Sequence, residues 1–325
     1  MQQNQRTLVL LGSTGNPDIN SLPEIRAYLR RFLSDRNVIH MNPVIWQLIL
    51  RLFILPKRAP RVMKDYHGTA INGKGALTHY MECLEKNAKG SSDSMEFKCV
   101  ACYTHPFLDE VLKGTDLSSF TDVVVLPLFP QYTPVTHDTC FEQARDYLGR
   151  QGFRGGIREV RGYWQNPLYA ETVCRGIVAQ MGESTDVILT FHSLPVDYIQ
   201  KGDAYQGECE GSFKVLRERL TAAAGLPPER IHMAYHCPFS KSAWLGPMLE
   251  EIATGLVKKG VRQLCVAAPG FAIDCLETLD DIDIGCTELF MREGGERMYT
   301  VKCLNDSADQ VRLLGDVAAR ALMKG

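Results

Sequence analysis

The sequence predicts an α/β protein made of two doubly wound, Rossmann-like halves whose parallel sheets face a cleft. Apolar, β-branched runs recur along the chain and stop at Gly or Pro, as buried parallel strands do. Each run gives way to a stretch of helical period, the alternation that builds a parallel sheet. The plan occurs twice with no low-complexity linker, and 325 residues suffice for two domains of common size.

The first strand is Thr7–Leu11, ended by Gly12-Ser-Thr-Gly15. That turn is not G-x-G-x-x-G, which disfavours a dinucleotide. A helix follows, with Ser21 as its cap, Pro23-Glu24 in its first turn, and Ile25, Tyr28, Leu29 and Phe32 on one face. Residues 41–56, MNPVIWQLILRLFILP, are apolar nearly all round. They are too short to span a bilayer comfortably. Their ordinary reading is a core helix. The functional one is an apolar lip for a flat ligand or a membrane surface, with the basic KRAPR beside it.

Gly68–Gly75 misses a P-loop, because its last position is Gly and no strand precedes it. Strands at 96–103, 122–128 and 158–163 complete the first half. The second has strands at 186–191, 230–235, 262–268 and 297–301. Helices at about 166–181, 208–223, 242–258 and 279–292 lie between them. The division expected is 1–165, 166–305, and a C-terminal segment 306–325 whose helix packs back on the first half.

Composition narrows the function. A net charge of −2 carries no nucleic-acid footprint. Eleven cysteines, with a polar start Met1-Gln-Gln-Asn and no signal sequence, read as reduced thiols in a cytoplasmic protein. Cys99 and Cys102 lie three apart on a strand and face opposite ways, so they do not pinch one metal. No second C-x-x-C follows, and an iron–sulfur cluster is not expected.

Two stretches organise the chemistry. One is Ile188-Leu-Thr-Phe-His-Ser-Leu-Pro195, which sets His192 and Ser193 just past a strand. The other is Pro269-Gly-Phe-Ala-Ile-Asp-Cys-Leu-Glu-Thr-Leu-Asp-Asp-Ile-Asp283, where Asp274, Glu277 and Asp281 share one face of an α-helix. Loops at the carboxyl ends of parallel strands are where such sheets bind ligands. An acidic first turn capped by Asp274, or a cation site, would each explain the spacing. Tyr66, Tyr103, Phe129, Tyr132, Trp164 and Phe271 fall at strand ends. Singly each suits a core; together they suit a large flat apolar ligand.

FHSLPVDYI, GDAYQGEC, APGFAIDCLETLDDID and KCLND, in this order, resemble the ferrochelatases. RFLSDRNV, LPKRAP and LPLFPQYT extend the resemblance over nearly the whole chain, as a somewhat divergent bacterial-type member. The resemblance implies a chelatase-like fold and insertion of ferrous iron into protoporphyrin IX to form protohaem, the final step of haem biosynthesis. Iron would be substrate, with no cofactor required. It implies His192 and Glu277 as the catalytic pair, with His192 as base or iron ligand. Asp274 and Asp281 would extend a metal-binding track. Tyr66, Tyr103, Tyr132, Trp164, Ser193 and Phe271 would contact the porphyrin. It makes residues 41–56 the porphyrin lip. Apart from the resemblance, the apolar and basic run 41–61 suggests peripheral membrane contact.

The chain departs from the family in places. Cys102 stands where many members have Arg, and Gly285 where the acidic track usually continues. Gly75-Ala76 stands at a Ser-Pro turn, Thr133–Asp138 adds His137, and His236-Cys237 replaces a Gln-Ser pair. A coproporphyrin III ferrochelatase and a non-catalytic porphyrin or haem carrier are the alternatives. A periplasmic-type binding protein also has two α/β halves, but the polar N-terminus counts against it.

Overall fold

The computed structural model describes residues 6–182, 185–238 and 243–323. The chain forms two units. One holds the residues up to Phe129, Thr133–Arg161 and everything from Asp306 on. The other holds Pro130–Tyr132 and Gly162–Asn305.

The first unit opens with β1 (Thr7–Ser13), buried at every position. Helix α1 (Leu22–Ser34) begins at Ser21, whose hydroxyl accepts from the Glu24 backbone N–H. It buries Ile25, Tyr28, Leu29 and Leu33, with Phe32 only half-buried. Helix α2 (Pro43–Ile49) runs into a π-helical turn, Leu50–Ile54, and then into α3 (Leu55–Gly68). Pro56 offers no N–H to the carbonyl four residues back, and its ring would clash there. Widening the preceding turn relieves that conflict, and the Leu55 N–H bonds Leu50 instead.

The apolar run at 41–56 is therefore helical but is not a core helix. Leu50 and Leu55 are buried, while Val44, Ile45, Leu48, Leu52 and Phe53 stand 58–79 % exposed. Helix α4 (Ala76–Ala88), β2 (Met95–Ala101), α5 (Leu108–Val111), β3 (Asp122–Pro127), α6 (Pro134–Arg150) and β4 (Gly156–Glu159) follow. The strands pair in parallel in the order β2-β1-β3-β4.

Strand β4 ends earlier than its apolar pattern suggests. Val160 still donates to the Val125 carbonyl, but Gly162 adopts φ +101, which only glycine tolerates easily. That turn lets both Tyr163 and Trp164 donate their N–H groups to the Pro130 carbonyl.

The second unit repeats the plan with α7 (Pro167–Gln180), β5 (Asp186–His192), α8 (Val196–Gln200), α9 (Tyr205–Ala224) and β6 (Ile231–His236). Next come α10 (Leu249–Lys258) and β7 (Gln263–Ala267), then a π-helix over Glu277–Cys286 that continues as α11 (Thr287–Arg292), and finally β8 (Arg297–Val301). The parallel order is β6-β5-β7-β8, so the chain reverses direction across the sheet between β5 and β7. A crevice opens at that switch point in doubly wound sheets.

Helix α10 is shorter than its apolar period suggests. The Leu245 N–H bonds the Leu194 carbonyl and the Tyr235 N–H bonds the Pro247 carbonyl, so this stretch is tied to the sheet rather than coiled. Glu251 caps the helix by accepting from the Met248 N–H. Ser242, expected within that helix, and Phe239 and Ser240, expected in the loop before it, lie outside the described residues. The last helix, α12 (Ala308–Met323), buries Leu313, Leu314, Val317 and Ala318 and belongs to the first unit, where it packs on β3, β4 and α4.

Candidate active site

The second unit gathers its chemistry around the carboxyl ends of β5, β6 and β7. His192 is the last residue of β5 and is half-buried. Its Nδ1 lies 2.7 Å from the Ser193 carbonyl oxygen. A carbonyl only accepts, so Nδ1 carries the hydrogen and Nε2 the lone pair. Burial lowers the pKa of His192 below the ordinary imidazole value, and this outweighs the opposing pull of the Glu277 carboxylate and the Ser193 carbonyl. The ring is thus neutral at rest, with a basic nitrogen in the field of Glu277.

Ser193 is fully buried, and its carbonyl holds this ring. Its Oγ donates to the Leu245 carbonyl at 2.7 Å, and its N–H to the His236 carbonyl at 2.9 Å.

The acidic stretch does not form the α-helical face its spacing suggests. From Glu277 to Cys286 the chain is π-helical, and Thr278, Ile282 and Cys286 are its buried residues, four apart. The wider turn sets Glu277 and Asp281, also four apart, on a neighbouring face. Asp281 is exposed, yet its carboxyl is pushed up to about 6, first by loss of hydration and then by the Glu277 and Asp280 charges. The Cys237 thiol donates to Asp281 Oδ2 at 2.8 Å and opposes that rise. Cys237 follows β6 in the left-handed region, φ +58, an uncommon conformation for a residue with a Cβ.

Asp274 sits apart from that pair. It is 2 % exposed, and its oxygens accept from Thr278 Oγ1 at 3.0 Å, the Cys303 N–H at 3.3 Å and Asn305 Nδ2 at 2.7 Å. Asn305 Oδ1 in turn accepts from the Asp274 N–H at 2.7 Å. Nor does Asp274 cap the helix through its side chain; Thr278 accepts from the Cys275 N–H instead. This carboxylate braces the Cys303–Asn305 loop against the start of the π-helix. Among the described residues no three His, Cys, Asp or Glu side chains stand ready to cage a metal ion. The four expected metal ligands therefore do not converge on one closed site.

The aromatic candidates divide in the same way. Phe271, half-buried, lies over His236 with ring centroids 5.8 Å apart. Trp164, also half-buried, donates its indole N–H to Glu208 Oε2 at 2.6 Å, and the Tyr132 backbone N–H reaches the same oxygen at 3.4 Å. Gln131 and Tyr169 hold the loop of Phe271 by donating to the Pro269 carbonyl, at 3.5 and 2.7 Å. Tyr66 and Tyr103 belong to the first unit and are packed into it, 6 % and 4 % exposed. The Tyr103 hydroxyl donates to Asp35 Oδ2 at 2.7 Å, and its neighbour Cys102 is buried as well.

His236 carries a part in this geometry that was not assigned from sequence. It pairs with His192 across neighbouring parallel strands, and their ring centroids lie 5.7 Å apart. Both close a strand, so a register of β5 against β6 would have revealed the pair.

The residues at 6–322 match the family model described as Ferrochelatase. A ferrochelatase from Methylocella silvestris is 32 % identical over 98 % of this chain and 94 % of its own length. One from Edwardsiella ictaluri is 32 % identical over 96 % and 97 %. Among solved structures, SirB from Bacillus subtilis with Fe3+ superposes at TM-score 0.58 and 10 % identity, covering 98 % of both chains. The sirohydrochlorin chelatase SirB from Bacillus subtilis subspecies spizizenii, in complex with cobalt, does so at 0.52 and 9 %, covering 98 % of this chain and 96 % of its own. These two likenesses concern the fold alone. The sequence match spans nearly the whole chain, and the chain belongs to the ferrochelatase family.

Proposed function

We propose that this chain inserts ferrous iron into protoporphyrin IX to form protohaem. In that reaction two pyrrole N–H protons leave, four iron–nitrogen bonds form, and iron keeps its oxidation state. The observation that carries the reading is His192, neutral, with Nδ1–H held on Ser193 and Nε2 basic in the field of Glu277. His192 accepts a pyrrole proton or ligates iron, since imidazole suits both tasks. Glu277 receives the proton or steadies the cation. Asp281, next along the π-helix, extends the negative track outward. Asp274 supports this track by bracing the start of the π-helix. An open track suits a metal that is substrate, because a closed cage would retain it.

Phe271, Trp164 and Tyr132 are proposed to contact the porphyrin directly, and Ser193 to hold the His192 ring in place. The iron is substrate, and no iron–sulfur cluster is assigned. The lip favours protoporphyrin IX over coproporphyrin III, whose extra propionates suit an apolar surface poorly. A membrane surface is the second proposed contact of the lip. Val44, Ile45, Leu48, Leu52 and Phe53 are exposed, and Lys57, Arg58 and Arg61 follow them in sequence. Burying one such side chain fully is worth roughly 1.5–3 kcal/mol. Among the described residues no helix is long and apolar enough to cross a membrane, and the contact proposed is a peripheral one.

Anaerobic metal insertion tests the reading. The protein should convert Fe2+ and protoporphyrin IX to haem, and faster than it metallates coproporphyrin III. Tight porphyrin binding without turnover would leave a carrier instead.

A further inference from the structure

We propose that His236 is a positioning residue that sets the orientation of the His192 imidazole. The inference rests on His192 being the group that accepts the proton or binds iron. Four contacts carry it. His192 and His236 are register partners at the ends of β5 and β6, so their side chains project to the same side of the sheet. Their rings meet edge-to-face, with centroids 5.7 Å apart and planes at 66°. Aromatic rings prefer this arrangement, and it disfavours rotation of the partner ring. On its other side the His236 ring lies against Phe271, at 5.8 Å and 36°. His236 thereby ties the reacting imidazole to an aromatic proposed to contact the porphyrin.

The backbone strengthens the link. The His236 carbonyl accepts the Ser193 N–H at 2.9 Å, and the Ser193 carbonyl holds His192 Nδ1 at 2.7 Å. One residue thus bears on both the ring and the peptide that orients it. The His236 ring is itself fixed, because its Nδ1 lies 2.9 Å from Thr190 Oγ1.

A purely structural histidine explains less. His236 is 1 % exposed, and its Nε2 has no hydrogen-bond partner among the described residues. Leaving a buried polar atom unpaired is unfavourable, and an apolar side chain would fill the same space without that loss. Thr190 and the register hold an imidazole there nonetheless.

The test compares His236→Gln, which keeps a polar group for Thr190 but loses the ring, with His236→Phe, which keeps the ring. Thr190→Val, which frees the His236 ring with the smallest change to the core, is the third variant. Each is measured at a temperature where melting curves show it folded. The readouts are kcat and KM for anaerobic iron insertion, porphyrin affinity by fluorescence, and the His192 tautomer by nitrogen-15 NMR. His236→Gln should lower kcat about tenfold with KM and porphyrin affinity within twofold, since small misplacements of a reacting group are costly. It should also replace the single Nδ1–H tautomer of His192 by a mixture. His236→Phe should stay within about threefold of the parent, and Thr190→Val should fall between the two.

A parent-like kcat in His236→Gln with one His192 tautomer would overturn the proposal. So would equal losses in the Gln and Phe variants with the tautomer unchanged. If His236→Gln does not fold, Thr190→Val decides by the same tautomer signal. If the parent protein inserts iron into no porphyrin, the reading of its function fails, while the tautomer signal still decides whether His236 orients His192.

Discussion

The Nδ1 of His192 is held 2.7 Å from the carbonyl oxygen of Ser193, the residue that follows it. That one contact selects the tautomer and so decides which nitrogen is basic. His192→Ala should remove turnover by at least about 100-fold, the scale of a lost general base, while leaving the melting temperature nearly unchanged. The residue is only half-buried, so little packing goes with it. Steady-state insertion kinetics and a thermal melt together check this.

The brace between Asp274 and Asn305 predicts a stability defect. Asn305→Ala strips Asp274 of its 2.7 Å donor and leaves a buried carboxylate short of partners. The expected loss is about 2–4 kcal/mol, read as a lower urea midpoint with an unchanged slope. Asp281→Asn, on an exposed side chain, should change stability little while lowering the rate of metal insertion.

The lip predicts the opposite separation. Substituting Val44 and Leu48 together by Ser should leave stability within about 0.5 kcal/mol, because neither side chain is buried. The same variant should lose binding to vesicles in a flotation assay. Vesicle binding equal to that of the parent protein would remove the membrane contact.

Acid stability in the first unit should depend on His137. It is fully buried in α6, and burial pushes its pKa down from 6.5 to about 3. The folded form therefore stays neutral where the unfolded chain takes up a proton. Stability conferred by the neutral ring is complete above pH 6.5 and is lost as pH falls toward 3. The slope in that window is at most about 1.4 kcal/mol per pH unit for one proton. His137→Gln should flatten this limb of the curve in urea unfolding across pH.

Much of this was legible from residues alone. The strands announced themselves by apolar runs stopped at Gly or Pro, and the Ser21 cap by its place before Pro23. His192 was found because it ends such a run. The two π-helical stretches were not legible, because the apolar period was read at 3.6 residues per turn, while Leu50–Ile54 and Glu277–Cys286 are wound wider. Asp274 was legible by its spacing, but its partner Asn305, 31 residues on, was not. Tyr103 and Tyr66 were legible by their place in the chain, but their burial in the first unit was not. The His192–His236 pair needed strand register, which period alone does not supply.

The most direct measurement is anaerobic Fe2+ insertion into protoporphyrin IX by the purified protein, followed as loss of porphyrin fluorescence. His192→Ala and Glu277→Ala are run beside it. The proposed mechanism predicts turnover in the parent and at least about a 100-fold loss in each variant, with porphyrin still bound. Turnover that survives both substitutions would contradict it.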